Sequence, residues 1–203
     1  MPSQFNEDLV IKNQFPEGFI GTCVEVGAAN GTDSNTYSFE LAGWKAVCIE
    51  PNEALFNICK QHRKISLNYA VGEDNLNDVD FNIVTLNGGN EQACSGLNVD
   101  KRLIEQHQSY NPSQRVVKID VKTLDTILSD LSIDHIDFVS IDTEGTELSV
   151  LKGFNLSKYK PHIMVIENNF NEPAIEQYLK GHGYNKFLRE QVNDFYKNDE
   201  YKM

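Results

Sequence analysis

Several acidic residues lie within or at the end of apolar runs that predict strands. In nucleotide-binding sheets, side chains at strand ends contact the ligand. Glu25 lies within the first such run, and Glu50, Asp142 and Glu167 each end a later one. The carboxyl ends of parallel strands gather at one edge of a sheet, where ligands bind. Carboxylates at that edge could accept hydrogen bonds from ligand hydroxyls, take up a proton or hold a divalent cation.

The loop after Glu25 follows the pattern Glu-x-Gly-x-x-x-Gly, with Gly27 and Gly31 as its glycines. A strand, a glycine-rich loop and a helix form the opening unit of a nucleotide-binding α/β sheet. The NAD fingerprint needs further glycines where this chain has Ala29 and Thr32, so an NAD-dependent oxidoreductase is disfavoured. A phosphate-binding loop would need a lysine that is absent here.

S-adenosylmethionine (SAM) carries no phosphate and suits this loop better. It needs an acidic partner for its ammonium group, which Glu25 could supply, and a carboxylate for its ribose hydroxyls, which Glu50 could supply. An acidic residue about twenty positions after the loop is common to NAD and SAM sites, so Glu50 alone does not decide between them. The predicted cofactor-binding residues are Glu25, Gly27, Ala29, Asn30, Gly31, Glu50, Pro51, Ala70, Val71 and Asp142.

Two local predictions concern the cofactor side of the sheet. A helix is expected over 33–41, ended by Gly43 as a C-cap. A third strand is expected over 65–71, and its end is where an adenine ring would lie. Ala70 and Val71 could therefore contact the adenine, although both fit the interior of a strand equally well.

Composition limits the partners and the compartment. The chain has 203 residues and a formal net charge of −12, whereas nucleic-acid binding draws on clustered Lys and Arg, so a nucleic-acid partner is not expected. The basic stretch at 60–64 is more typical of a solvated helix end. The cysteines have no metal-type spacing, the N-terminal sequence does not resemble a signal peptide, and no apolar run could span a membrane. We therefore expect a cytoplasmic protein.

Predicted strands alternate with predicted helices along the chain. This order indicates an α/β fold with a mostly parallel sheet and helices on both faces. The runs at 46–49, 138–141 and 163–166 are continuously apolar, which is typical of central parallel strands. The last two strands, at 184–189 and 194–197, are expected to form an antiparallel hairpin.

We predict a single domain over 1–203 with an N-terminal lead-in at 1–20. The least regular stretch, 75–114, is predicted to be an insert on the substrate side, because irregular segments often carry substrate contacts. Three of its side chains could reach a substrate, although a plain surface loop is the more frequent role for each: Ser95, His107 and Tyr110.

Four motifs in order resemble the FkbM family of SAM-dependent methyltransferases. They lie at 24–31, 50–52, 121–125 and 141–153, and the last, from Ile141-Asp142-Thr143-Glu144-Gly145 onward, is the most characteristic. The resemblance covers about 20–170.

This resemblance implies a class I methyltransferase (Rossmann-like) sheet of seven strands with a terminal antiparallel hairpin. It also implies methyl transfer to an oxygen, often a hydroxyl of a sugar or glycan, which would make a carbohydrate the partner. Asp142 and Glu144 would lie beside the transferred methyl group. A histidine that often follows the later glutamate is missing, since this chain has Glu167-Asn168-Asn169 there.

A sugar hydroxyl is a poor nucleophile until a base removes its proton or a metal acidifies it. Asp142, Glu144 and Glu167 are the candidate catalytic residues. Adjacent parallel strands lie about 4.8 Å apart, so Asp142, Glu167 and Asn168 could converge on Mg²⁺ or Mn²⁺. Alternatively, Glu167 and Asn168 could cap the next helix or bind substrate directly.

The leading hypothesis is therefore a SAM-dependent O-methyltransferase that acts on a sugar or glycan. Two alternatives stay open, a SAM- or glycan-binding module without turnover and a methyltransferase acting on another small molecule.

Overall fold

A computed structural model of the protein describes residues 3–87 and 95–199. Its strands are β1 (Thr22–Val26), β2 (Lys45–Ile49), β3 (Ser66–Leu67), β4 (Ala70–Val71), β5 (Leu76–Thr85), β6 (Ser113–Lys122), β7 (Phe138–Ile141), β8 (Ile163–Glu167), β9 (Tyr184–Glu190) and β10 (Asn193–Asn198). Its α-helices are α1 (Glu7–Lys12), α2 (Tyr37–Leu41), α3 (Glu53–His62), α4 (Lys101–Gln106), α5 (Leu124–Asp130), α6 (Glu147–Lys152), α7 (Leu156–Tyr159) and α8 (Pro173–Lys180).

The main sheet has seven strands in the order β3-β2-β1-β7-β8-β10-β9. Its pairs are parallel except those of β10, which runs antiparallel to β8 and β9. The chain moves outward from β1 to β3 and returns to β7 on the other side of β1, so the strand order reverses between β1 and β7. Ligands bind at such a switch point. The predicted sheet and its closing hairpin are confirmed.

Both faces of the main sheet are buried. Val24 and Val26 pack with residues of α5, α6 and α8, whereas Cys23 packs with residues of α1 and α2 on the opposite face. Successive side chains of a strand point to opposite faces, and these three are at most 2% exposed. This double burial explains the continuous apolar runs in the sequence.

The prediction of one continuous strand over 65–71 is wrong. Ser66–Leu67 joins the main sheet beside β2, but Ala70–Val71 joins a separate three-stranded sheet in the order β4-β6-β5. The side-chain amide of Asn68 donates to the carbonyl oxygens of Glu50 and Pro51, at 2.8 and 2.9 Å. This polar anchor lies where the chain passes from one sheet to the other.

Much of the 75–114 stretch builds the second sheet. Strand β5 pairs antiparallel with β6, and Phe81, Ile83 and Val121 form a small core with Ala70. Helix α4 lies between the two strands in the sequence. Within the described parts of the chain, no helix has both the length and the apolar character needed to cross a membrane.

Candidate active site

The tip of β1 touches the end of β7 through a glycine. Gly27 has a φ of 83°, and a Cβ added there would lie 1.8 Å from the backbone oxygen of Asp142. A side chain at this position would force the two strand ends apart. Gly27 therefore allows the loop to stay close to Asp142, and it leaves a bare backbone facing the space beyond.

Glu50, at the end of β2, holds the other side of this loop. Its carboxylate is buried, with the residue 6% exposed, and it accepts hydrogen bonds from the backbone N–H groups of Ala29 at 2.7 Å and Asn52 at 2.8 Å. Burial raises the pKa of Glu50 to about 8, against the lowering effect of these two bonds. Each oxygen accepts one of the two bonds and keeps a further lone pair for a ligand.

A cleft opens between these strand ends and the second sheet. Its apolar part includes Tyr69, Phe81 and Leu97, and its polar part includes Asn52 and Thr143. Of the residues predicted from the sequence, those that line it are Gly27, Ala29, Glu50, Pro51, Ala70, Val71, Ser95, Asp142 and Glu144. The apolar wall suits the adenine of SAM, and the Glu50 carboxylate can accept hydrogen bonds from its ribose hydroxyls. The loop without a side chain at Gly27 suits its methionine part.

Glu25 is not brought to the cleft. The residue is 5% exposed, and its carboxylate accepts hydrogen bonds from Asn35 N at 2.8 Å, Thr36 Oγ1 at 2.6 Å and the Ser34 hydroxyl. Its predicted contact with the SAM ammonium group has no support in this geometry. These bonds compete with helical ones, so α2 begins at Tyr37 and not at residue 33 as predicted.

Asn30 and Gly31 also lie outside the cleft lining. The Asn30 side-chain oxygen accepts the backbone N–H groups of Thr32 and Asp33, at 2.8 and 3.0 Å. Gly31 has a φ of 78° and packs closely against Cys59 and Arg63, where an added Cβ would collide. Both residues shape the turn rather than the cavity.

Arg63 is a buried support of this loop that the sequence reading missed. Its guanidinium donates to the Gly31 carbonyl at 2.9 Å and to the Thr36 hydroxyl at 2.7 Å, and it pairs with Glu40. The basic stretch at 60–64 is thus not wholly a solvated helix end, since Arg63 is 5% exposed. A charge within a basic run gives no sign in the sequence that it is buried.

Three carboxylates meet at the polar end of the cleft. Asp142, Glu144 and Glu167 each place a carboxylate oxygen within 4.8 Å of the others. Glu144 has a φ of 58°, which is costly for a residue with a side chain. Glu147 holds this turn, because its Oε1 accepts the backbone N–H groups of Thr143 at 3.0 Å and Gly145 at 2.9 Å.

Crowding within this carboxylate cluster perturbs its titration. Enclosure by the chain, and then the negative charges of Asp142 and Glu144, raise the pKa of Glu167 to about 11. Enclosure and Glu144 also raise the pKa of Asp142 well above its ordinary range, while its hydrogen bond with Glu167 acts the other way. The Asp142 side chain is exposed in the cleft. Repulsion from the neighbouring carboxylates therefore raises its pKa even where water reaches it. The pKa values of both residues therefore move in the direction that favours a proton on the cluster.

The Asn168 side chain is used inside the fold, so its predicted role as a metal ligand has no support in this geometry. Its Oδ1 accepts the backbone N–H of Glu172 at 2.7 Å, and its Nδ2 donates to Asp194 at 3.0 Å. The residue is 4% exposed and holds the start of α8. Glu144, which the sequence reading assigned to catalysis alone, is the third carboxylate that lies beside Asp142 and Glu167.

His107 and Tyr110 do not line the cleft. The Nδ1 atom of His107 lies 2.8 Å from the backbone oxygen of Leu103, at the end of α4. Tyr110 is 50% exposed. Of the three side chains predicted to reach a substrate, only Ser95 lines the cleft.

The strand order and the closing antiparallel hairpin are those of the class I methyltransferase fold. The Methyltransferase FkbM domain matches residues 25–186. This protein belongs to that family, as the four sequence motifs indicate. The family and the site together support SAM-dependent methyl transfer.

Solved structures with a similar fold are distant in sequence. The N-terminal domain of human METTL16 is 13% identical with a TM-score of 0.48, and the match covers 94% of this chain and 65% of that one. A human methyltransferase 10 domain containing protein is 15% identical with a TM-score of 0.47, covering 97% and 81%. Precorrin-6y C5,15-methyltransferase from Geobacter metallireducens GS-15 is 9% identical with a TM-score of 0.48, covering 97% and 88%. No curated protein matches the chain.

Proposed function

We propose that the protein is a SAM-dependent O-methyltransferase that acts on a hydroxyl group of a sugar or glycan. The observation that carries the proposal is the position of the carboxylate cluster, which opens onto the same cleft that Gly27 and Glu50 border. A hydroxyl placed there would have a proton acceptor within reach, and transfer to oxygen needs such a group.

Different residues of the cleft would contact different parts of SAM. Ala70, Val71 and Phe81 would enclose its adenine, Glu50 would accept hydrogen bonds from its ribose, and the loop at Gly27 would border its methionine part. When bound, SAM supplies an electrophilic methyl group on a sulfonium. Orientation of the acceptor against that group can contribute much of the rate.

Asp142 is the proposed proton acceptor. A proton held by Glu167 would keep that residue neutral and leave Asp142 and Glu144 as the carboxylates of the cluster that line the cleft. Of these two, Asp142 directly follows β7 and touches the loop at Gly27. Asp142 would take the proton of the acceptor hydroxyl as that oxygen gains its methyl group. The raised pKa of Asp142 makes it a better base than an ordinary aspartate. This arrangement supplies the function of the missing histidine.

A divalent cation is a second way to activate the hydroxyl at the same place. Asp142, Glu144 and Glu167 offer oxygen ligands within 4.8 Å of one another, and such ligands suit Mg²⁺ or Mn²⁺. A cation would require all three carboxylates to be ionised, and it would lower the pKa of a bound hydroxyl. Activity that persists after exhaustive EDTA treatment, and that added Mg²⁺ or Mn²⁺ does not change, would leave Asp142 as the base.

Incubation with methyl-labelled SAM tests the proposed function. The acceptors are a panel of sugars and glycans, with RNA and DNA as controls, and mass spectrometry locates the label. We expect the label on an oxygen of a carbohydrate. Methylation of RNA or DNA with no transfer to any carbohydrate would contradict the proposal. SAM binding without transfer to any acceptor would instead favour a binding module.

A further inference from the structure

A second cavity lies next to the residues that flank the carboxylate cluster. The turn after β7, the segment after β8 and helix α4 form its walls. Asn169 lines it and donates a hydrogen bond to Glu167 at 2.8 Å. Gly145 lines it too and directly follows Glu144. The lining of this cavity therefore adjoins the carboxylate cluster through Asn169 and Gly145.

One wall of the cavity is an arginine laid over an aromatic ring. The guanidinium carbon of Arg102 lies 3.7 Å from the centroid of the Phe170 ring. The same guanidinium pairs with Asp100 at 2.7 Å and with Glu172 at 3.0 Å. These contacts join α4 to the segment that leads into α8, so the insert and the main sheet both contribute to the cavity.

The cavity carries an excess of negative charge. Among the described residues that line it, Arg102 is the only cation, and two carboxylates already pair with it. Glu147 adds a third carboxylate, and the cluster of Asp142, Glu144 and Glu167 lies beyond it. Like charges brought together across an interface repel each other and disfavour the complex. An acceptor with its own phosphate or carboxylate would therefore be repelled, whereas hydroxyl groups would find many hydrogen-bond acceptors.

We infer that this cavity is the acceptor subsite and that it takes a hydroxyl-rich group without negative charge, such as a neutral sugar ring. The inference rests on the proposed function and narrows it, since it excludes uronates and sugar phosphates as preferred acceptors. Phe170 supplies the apolar surface of the subsite, and Arg102 fixes that ring while it stays paired with its two carboxylates. Arg102 and Phe170 are positioning residues, and the carboxylate cluster performs the chemistry.

The test compares matched acceptors and matched variants. Initial rates are measured with neutral methyl glycosides, the corresponding uronates and the corresponding sugar phosphates. Wild-type enzyme should show a KM at least about tenfold lower for the neutral member of each set. Arg102→Gln and Phe170→Ala should each raise the KM for the neutral acceptor about tenfold, the scale of one lost aromatic or hydrogen-bonded contact. The Kd for SAM, measured by calorimetry, should stay unchanged and show that both variants are folded.

Lys101→Gln is the control, because it removes a positive charge from the residue before Arg102 in α4, and Lys101 does not line this cavity. It should leave both constants unchanged. Faster transfer to uronates or phosphates, lost in Arg102→Gln, would overturn the inference by showing that Arg102 binds an anionic acceptor. Transfer to neutral sugars that neither variant affects would overturn the subsite alone. SAM binding with no transfer to any carbohydrate would overturn the proposed function and the subsite with it.

Discussion

Replacing Glu50 by glutamine should weaken SAM binding without unfolding the protein. The carboxylate is held by two backbone N–H groups, at 2.7 and 2.8 Å, and its remaining lone pairs face the cleft. Glutamine keeps the shape of the side chain, but it offers one oxygen where the carboxylate offers two. An NH₂ group would then face either a backbone donor or the ribose hydroxyls.

Above about pH 8, where the Glu50 carboxyl is ionised, the loss should be about 1–3 kcal/mol, the scale of hydrogen bonds to a charged partner. In calorimetry this corresponds to a Kd for SAM about 5–150 times higher. Glu53→Gln is the matched control, since Glu53 is exposed at the start of α3 and does not line the cleft. Equal SAM affinity in Glu50→Gln and wild type would refute the assignment of Glu50 to the ribose.

Three further predictions concern stability and pH. Arg63→Met should lower the free energy of unfolding, measured in urea, by about 3–5 kcal/mol, because it leaves Glu40 buried without its partner; an unchanged urea midpoint would contradict this. Gly27→Ala should abolish SAM binding in calorimetry, because the new Cβ would meet the backbone oxygen of Asp142; wild-type affinity would refute it. Burial raises the pKa of Glu50 from 4.5 to about 8, so Glu50 loses its proton at a lower pH in the unfolded chain than in the folded protein. The protein without ligand should therefore lose stability as the pH rises from 4.5 to about 8. Urea titrations should show that the free energy of unfolding of Glu50→Gln falls less over this pH range than that of wild type. The same pH dependence in both proteins would contradict a raised pKa at Glu50.

The main sheet was predictable because its central strands are visible in the sequence as apolar runs. Buried parallel strands such as β7 and β8 are apolar on both faces, so their runs stand out in the sequence. The split of the third strand was not predictable in this way. Ser66–Leu67 and Ala70–Val71 lie within six residues of each other, and hydropathy carries no information about which sheet a strand joins.

The candidate site was predictable where residue type and backbone position decide the contact. Gly27 and Glu50 line the cleft because a loop and a strand end place them there. Glu25 and Asn168 have suitable side chains, but neighbouring hydrogen bonds use them inside the fold. Such competition depends on tertiary packing, which spacing along the chain cannot reveal. The left-handed backbone conformation of Glu144 likewise could not be predicted from the sequence pattern.

The central claim is that the carboxylate cluster activates an acceptor hydroxyl beside SAM. Its most direct test is methyl transfer by Asp142→Asn and Glu167→Gln, measured together with SAM binding. Glu190→Gln, at the end of β9 and outside the cleft lining, is the control. We predict that transfer to the carbohydrate by Asp142→Asn falls at least about 100-fold, the scale of lost proton transfer. Glu167→Gln, whose amide imitates a neutral carboxyl and which does not line the cleft, should keep SAM binding and lose less activity. Transfer at the wild-type rate by Asp142→Asn would contradict the account.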